Sequence, residues 1–299
     1  MPVNWQQEFS NKPFEIVAPR QWTAPAVFNS PHSGACYPAA FMALSRLDPV
    51  ALRKSEDCYI DRLFDCAVEL GAPLLKAHFP RAYLDVNREP YELDPRMFRE
   101  DLPGYTNTSS VRVAAGLGTV PRIVCEGEEI YRLPLRLDEV IQRIDTIYRA
   151  YHRTLSGLTS QVYDSFGAVL LVDCHSMPSS AANLVSTNES IVDIVLGDRH
   201  GAACGEAITG LLEELLRAQG LKVVRNKPYA GGFITQSHGS PLNGRHALQI
   251  EVNRGLYMSE KTLETTANFV VLQRILGAAL QSLIQELDGL LKPLRLAAE

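Results

Sequence analysis

Residues 168–178 read AVLLVDCHSMP, an apolar run that stops at an acid and a histidine. A short run of this kind, rich in Val and Leu, is typical of a strand buried on both faces of a parallel sheet. We therefore predict a strand over residues 168–174 that ends in a loop carrying His175. Residues 26–34 read AVFNSPHSG and repeat the pattern, with His32 following a second apolar run. Polar side chains delivered at the strand ends of an α/β sheet are where such folds build their sites.

The rest of the chain alternates short apolar runs with helical patterns. Further strands are predicted at residues 14–18, 74–79, 83–86, 122–125, 191–196, 221–225 and 247–252. Apolar residues at three- and four-residue steps predict helices over residues 140–158 and 269–287, and two more over residues 49–70 and 200–218. Strands that alternate with long helices predict an α/β fold with a largely parallel sheet covered on both faces.

No composition shift or linker divides the chain, so we predict a single domain over residues 1–299. Residues 92–118 are polar and rich in Pro and Gly, and they predict a long loop excursion, such as a lid or an interface.

The composition excludes several kinds of partner. The formal net charge is −5 and no basic block occurs, which argues against nucleic acid. No apolar run approaches the length of a membrane-spanning helix, and the first residues lack a signal pattern. Six cysteines without a Cys-x-x-Cys pair predict free thiols and a cytoplasmic location.

Two histidines delivered in the same way predict a metal centre, because imidazole is the commonest metal ligand among side chains. Asp173 lies two residues before His175, so both side chains project to the same side of a strand. The carboxylate of Asp173 would then fix the tautomer of the His175 imidazole and raise its basicity, which is the usual role of the residue behind a metal-ligating histidine. A carboxylate ligand is expected from SEDCYID at residues 55–61, with Asp57 favoured and Glu56 as the alternative. Asp57 and Asp61 are one helical turn apart and are expected to share a face.

A catalytic base is expected in ALQIEVNR at residues 247–254. Glu251 lies between two β-branched residues, where a carboxylate is costly to bury, and either a catalytic role or a salt bridge to an arginine would explain it. Two Asn-Arg pairs, at Asn87–Arg88 and Asn253–Arg254, are candidates for binding an anionic substrate, because guanidinium groups bind carboxylates with two hydrogen bonds. Ordinary surface ion pairs are the alternative for both arginines.

A glycine-containing loop provides the remaining candidates. Residues 228–239 read PYAGGFITQSHG, and the paired glycines would let the main chain approach a ligand closely at Gly232. Thr235 and His238 would then contact the substrate or polarise a carbonyl. A plain hinge or turn is the competing interpretation.

Six motifs in order, SPHSG, SEDxYxD, DVNREP, DCHSMP, PYxGGFIT and QIEVNRGLYM, resemble those of the N-formylglutamate amidohydrolase family from about residue 29 to residue 258. The resemblance implies a phosphorylase/hydrolase-like three-layer α/β/α sandwich with a mostly parallel mixed sheet. It also implies hydrolysis of N-formyl-L-glutamate to glutamate and formate in histidine degradation. A more distant similarity to zinc carboxypeptidases implies His32 and His175 as zinc ligands, Glu251 as the base and Arg88 as a substrate clamp.

The resulting hypothesis is a single Zn²⁺ on His32, Asp57 and His175, with Glu251 taking a proton from the attacking water. The same donors also accept Mn²⁺, Fe²⁺ or Co²⁺. The expected partner is a small anionic N-acyl amino acid, with no membrane partner, and the oligomeric state is open. Two alternatives stay open: a deacylase or carboxypeptidase acting on another N-acyl amino acid or small peptide, and a non-catalytic ligand-binding module on the same fold.

Overall fold

The computed structural model describes residues 12–124, 127–184 and 191–291. Within these limits the chain divides into two compact units. One unit takes residues 12–15, 31–58 and 76–154, and the other takes residues 16–30, 59–75 and 155–291. The single-domain organisation stays a prediction.

A seven-stranded mixed sheet is the main β structure of the described residues. Its strands are β1 (Phe14–Val17), β2 (Ala26–Ser30), β3 (Leu74–Ala77), β4 (Val169–Met177), β5 (Ile194–Gly197), β6 (Val223–Arg225) and β7 (Arg245–Asn253). The strand order is β1-β3-β2-β4-β7-β5-β6. Strand β4 runs parallel to β2 and β7, and β5 runs parallel to β6 and antiparallel to β7. The α/β fold class is therefore confirmed.

The two central strands are buried along their length. Every residue of β4 is buried, as is every residue of β7 after Arg245. Strands covered on both faces carry continuous apolar runs, which is why β4 could be located from its sequence. Strand β4 is longer than predicted: it continues to Met177, because Met177 still pairs with Asn253 of β7. His175 therefore lies within a strand and not in the loop that we expected.

The α-helices of the described residues occupy Ala39–Leu44, Pro49–Arg53, Ile60–Leu63, Cys66–Glu69, Val111–Ala114, Leu137–Arg143, Arg149–Phe166, Ser179–Leu184, Glu206–Ala218, Phe233–His238 and Asn268–Leu291. A π-helical turn at Ile144–Tyr148 links two of them into the helix predicted over residues 140–158. Short 3-10 helices occupy Pro95–Met97, Pro241–Asn243 and Arg254–Leu256. None of the helices in the described ranges is long and apolar enough to cross a membrane.

The helix predicted over residues 49–70 is wrong, because the chain breaks it into three short helices. The main-chain N–H of Asp57 donates to His32 O over 3.0 Å, so it leaves the helical hydrogen-bond pattern. Tyr59 then adopts a φ of 65°, in the left-handed region. Asp57 precedes the helix Ile60–Leu63, and the expected shared helical face with Asp61 does not exist.

Two predicted strands are also wrong. Residues 83–86 form no strand: Tyr83 N–H donates to Pro80 O in a turn, and Asp85 N–H donates to the distant Thr119 O. Residues 122–124 make a single bridge, between Ile123 and Glu129, and Cys125 lies outside the described residues. β-branched residues alone do not make a strand where no neighbouring strand completes the ladder.

The segment of residues 92–118 has little regular structure, with only the short helices Pro95–Met97 and Val111–Ala114. It nevertheless buries Leu93, Met97 and Val113, which are at most 5% exposed. The segment is thus packed into its own unit and contributes to that unit's core.

Candidate metal centre

His32 is completely buried just after β2 and is held by two acids. Its Nε2 lies 2.8 Å from Asp85 Oδ1, and its Nδ1 lies 3.4 Å from Asp57 Oδ2. The main-chain hydrogen bond from Asp57 N–H to His32 O brings the two residues side by side. The break in the helix described above therefore has a direct consequence for the site: it delivers Asp57 to the imidazole.

His175 has a carboxylate partner on its own strand. Its Nε2 lies 2.9 Å from Asp173 Oδ2, as expected for residues two apart on one face of a strand. The second oxygen of Asp173 accepts a hydrogen bond of 2.7 Å from the Asn29 amide, which sits beside it on β2. Cys174 lies between Asp173 and His175 on the strand, so its side chain is on the opposite face, and it is fully buried. Burial raises the pKa of the Cys174 thiol well above its ordinary value, so it is not an activated nucleophile.

Three buried side chains, His32, Asp57 and His175, each offer one ligand atom, and these atoms all lie within 4.8 Å of one another. Ligands bound at 2.0–2.2 Å in a tetrahedral arrangement lie roughly 3.3–3.6 Å apart. The 3.4 Å between His32 Nδ1 and Asp57 Oδ2 matches that spacing. His32 Nε2 also has a hydrogen-bonded carboxylate in Asp85, the usual second partner of a ligating histidine, and His175 Nε2 has the Asp173 carboxylate within ion-pair distance. The group could therefore hold a metal ion.

The alternative carboxylate, Glu56, is engaged elsewhere. It accepts a hydrogen bond of 2.7 Å from Tyr37 Oη, and Arg53 Nε donates to both of its oxygens over 3.2 Å. Burial raises the pKa of Glu56 above its ordinary value, although Tyr37 and Arg53 act against this shift. Glu56 thus has other partners, while Asp57 belongs to the group that could hold a metal ion. The choice of Asp57 as the carboxylate ligand stays a prediction.

Asp85 is a site residue that the sequence analysis did not assign. It is buried and contacts His32, Arg81 and Arg88, with Arg81 Nε donating over 3.0 Å. Burial alone would raise the pKa of Asp85, but Arg88, His32 and Arg81 together hold it well below its ordinary value. Asp85 could have been identified from the sequence by its position in the motif DVNREP, three residues before Arg88.

Glu251 lies on β7 directly beside His175 of β4, because the parallel register pairs these two residues. It is 7% exposed. Gln249, two residues earlier on the same face, donates from Nε2 to Glu251 Oε1 over 2.7 Å. Gln249 is the second residue that the sequence analysis missed, and its same-face spacing to Glu251 could have revealed it.

The two candidate arginines are held by the protein and are not ordinary surface residues. Arg88 Nε donates to Leu117 O over 2.9 Å and its Nη1 donates to Asn87 O over 2.8 Å. Arg254 is 8% exposed, and its Nε donates to Ser176 Oγ over 2.9 Å. Asn87 is buried and its N–H donates to Asp85 Oδ1. Their roles toward a substrate stay predictions.

The glycine-containing loop is tied to β7. Gly232 N–H donates to Gln249 Oε1 over 2.9 Å, and the buried Thr235 hydroxyl donates to Gly232 O over 2.9 Å. Gly231 has a φ of 121°, and a Cβ there would lie 2.6 Å from Thr235 Oγ1, so only glycine fits this turn. His238 is half-buried at the end of the helix Phe233–His238. Substrate contacts by Gly232, Thr235 and His238 stay predictions.

Fold and site together define a class: α/β proteins with a mixed sheet and a buried His–Asp–His donor set next to a glutamate. A model of the N-formylglutamate amidohydrolase family matches residues 24–258. The chain belongs to this family.

Individual relatives agree with this assignment. The chain is 29% identical over 250 residues to an N-formylglutamate deformylase of Pseudomonas aeruginosa, an alignment that covers 83% of this chain and 87% of the relative. It is 27% identical over 249 residues to a protein of the same name from Pseudomonas putida, covering 82% and 86%.

Solved structures extend the likeness to the fold. The crystal structure of an N-formylglutamate amidohydrolase from Ralstonia eutropha JMP134 matches with a TM-score of 0.85 and 35% identity, over 92% of this chain and 99% of that one. A gene product of Agrobacterium tumefaciens shares the fold with a TM-score of 0.63 at 19% identity, over 93% and 98%.

Proposed function

We propose that this protein hydrolyses N-formyl-L-glutamate to L-glutamate and formate. One observation carries the proposal: the buried group of His32, Asp57 and His175 lies in a chain of this family, with Glu251 next to His175 in the sheet. Relatives from two Pseudomonas species bear the name N-formylglutamate deformylase, which supports this choice of acyl group.

The donor set suits a divalent cation, with Zn²⁺ as our first choice. Two imidazoles and a carboxylate are a common ligand set of hydrolytic zinc, and they also accept Mn²⁺, Fe²⁺ or Co²⁺. Such an ion would supply Lewis acidity, lowering the pKa of water and polarising the formyl carbonyl. Asp85 and Asp173 would hold the two imidazoles in the required orientation and tautomer.

Glu251 would act as the base. Its carboxylate removes a proton from the attacking water as the water oxygen bonds to the formyl carbon. The same group then passes that proton to the amide nitrogen as the carbon–nitrogen bond breaks. The products are formate and the free amine of glutamate.

The substrate carries two carboxylates, and the structure offers two guanidinium groups with little exposure, in Arg88, whose side chain is 11% exposed, and in the buried Arg254. Held in place by main-chain and hydroxyl oxygens, they would bind these carboxylates and orient the formyl group. Asn87, Gly232 and Thr235 would complete the binding site. Either Arg88 or His238 would donate a hydrogen bond to the carbonyl oxygen as negative charge develops on it.

We further propose that the reaction serves histidine degradation in the cytoplasm. The substrate is a small anionic N-acyl amino acid, and the acidic chain has no basic block for nucleic acid.

A formate-release assay tests the function. Purified protein should release formate from N-formyl-L-glutamate, lose the activity after chelation and regain it with added Zn²⁺ or Co²⁺. N-acetyl-L-glutamate and a glutamyl dipeptide in parallel assays separate the other deacylase and peptidase activities. A protein that carries metal at full stoichiometry and still releases no formate would rule out the proposal and favour a ligand-binding module.

A further inference from the structure

A separate cavity in the first unit is lined by four arginines. It has a volume of about 150 Å³, and the arginines are Arg46, Arg96, Arg122 and Arg132. Such a concentration of positive charge is unexpected in a chain with a formal net charge of −5. None of the four belongs to the candidate metal centre.

Arg46 and Arg132 are placed by a short antiparallel pairing. Ser45 bridges to Tyr131, Arg46 N–H donates to Ile130 O, and Arg132 N–H donates to Leu44 O. Residues next to a bridged pair project to the opposite face from that pair, so both arginines project from the same face. Their guanidinium groups are fixed reciprocally: Arg46 Nε donates to Tyr131 O over 3.0 Å, and Arg132 Nε donates to Ser45 O over 2.6 Å.

The other two arginines share an acid. Arg96 makes a two-fold contact with Asp94, at 2.8 Å and 2.7 Å, and Arg122 Nε donates to the same carboxylate over 2.9 Å. Arg122 also reaches Glu129 over 3.1 Å. These contacts order both guanidinium groups before any ligand arrives.

The charges around the cavity do not balance. Arg46 pairs with Glu129 at 3.2 Å, but Arg132 has no carboxylate within ion-pair distance among the described residues. Four guanidinium groups thus face two carboxylates, Asp94 and Glu129, in this part of the chain. An ion-pair network that served stability alone would be expected to balance its charges, because like charges that lie close together repel each other.

We propose that this cavity is a binding site for a small divalent oxyanion, a phosphate or a dicarboxylate. Two negative charges would neutralise the excess of two positive ones. Guanidinium groups match both phosphate and carboxylate oxygens with paired hydrogen bonds. The volume also fits, because a cavity of roughly 150 Å³ accommodates a molecule the size of benzene.

Isothermal titration of the purified protein with inorganic phosphate and with succinate tests the proposal and distinguishes the two sources. We expect saturable binding of at least one of them with a Kd of ~1 mM or lower at low salt. Acetate at matched ionic strength should bind much more weakly because it carries one charge. Arg132→Gln should weaken the binding at least about tenfold, the effect of losing one charge-assisted contact.

Arg136→Gln is the matched control, because Arg136 is exposed and pairs with Asp138 outside the cavity. It should bind the anion like the wild type. Arg132→Lys keeps the positive charge but loses the paired N–H donors of the guanidinium group, so it should give an intermediate affinity for the anion. This variant also shows whether the weaker binding of Arg132→Gln comes from a folding defect. If the anion also binds at the candidate metal centre, that binding should be unchanged in Arg132→Gln and should appear in the titration as a separate class of sites. The proposal fails if neither anion saturates the protein, or if Arg132→Gln binds as tightly as the wild type.

Discussion

Gln249 donates a hydrogen bond to Glu251 Oε1 over 2.7 Å, from the same face of β7. The orientation of the amide is settled by its other contact, since Gly232 N–H can only donate and therefore faces Gln249 Oε1, at 2.9 Å. One side chain thus connects the glycine-containing loop to the proposed base.

Replacing Gln249 with Leu should lower kcat about tenfold or more with a smaller change in KM, because outer partners of reacting groups commonly contribute this much. The formate-release assay and the urea midpoint should be measured together. Gln161→Leu, at an exposed helical position, is the control and should behave like the wild type. Equal kcat values in Gln249→Leu and in the control would show that Glu251 does not depend on the hydrogen bond from Gln249.

Glu251→Gln should lose about 10²–10⁴-fold in kcat, the contribution typical of a general base, while keeping its metal content. The amide has nearly the same shape but cannot accept a proton from water. Glu214→Gln, an exposed glutamate on the helix Glu206–Ala218, provides the matched comparison. A Glu251→Gln variant with near wild-type kcat would remove Glu251 from this role.

His175→Ala should lose bound metal, as measured by elemental analysis of the purified protein. Removing one of three protein ligands weakens the binding of a divalent ion strongly. His78→Ala is the control, because His78 contacts only Glu15, at 3.7 Å, among its ion-pair partners in the described residues. Full metal stoichiometry in His175→Ala would contradict the ligand assignment.

The stability of the protein should fall in mild acid because of His246. Burial lowers the pKa of His246 below its ordinary value of 6.5, and its Nδ1 accepts a hydrogen bond of 3.0 Å from Gly205 N–H. The unfolded chain therefore takes up the proton first as the pH falls. The contribution is present above about pH 6.5 and is lost as the pH falls from there through the lower folded-state pKa, by at most about 1.4 kcal/mol per pH unit.

His246→Asn separates this contribution from other titrations, because asparagine keeps an acceptor for Gly205 N–H and does not titrate. The difference in urea midpoint between about pH 7.5 and pH 5.5 should be larger for the wild type than for the variant. Identical pH dependence in both proteins would contradict the prediction.

Gly34→Ala should destabilise the fold by about 1–3 kcal/mol, as expected for overpacking. A Cβ at this position would collide with Phe79 O and come within 2.6 Å of His78 O, and main-chain atoms cannot move aside cheaply. Gly104→Ala is the control, because a Cβ there would meet no atom within 4 Å among the described residues. Equal free energies of unfolding for the two variants would show that the segment after His32 tolerates displacement.

Several features of the fold were predictable because they follow from local pattern. The continuous apolar run of β4 and the three- and four-residue steps of Asn268–Leu291 each report how one element is buried. The pairing of Asp173 with His175 follows from the two-residue repeat of a strand. The strand predicted over residues 83–86 was wrong because local composition carries no information about whether a partner strand exists.

The sequence by itself determined the kinds of group available: two imidazoles that follow apolar runs, an acid-rich segment and a glutamate between two β-branched residues. Only the tertiary structure decided which acids join them. Asp57 reaches His32 because its main-chain N–H bonds to His32 O, and Asp85 reaches the same imidazole from 53 positions away. The physical reason is that side-chain periodicity encodes which face of an element is buried, whereas ligand convergence depends on hydrogen bonds between segments far apart in the chain.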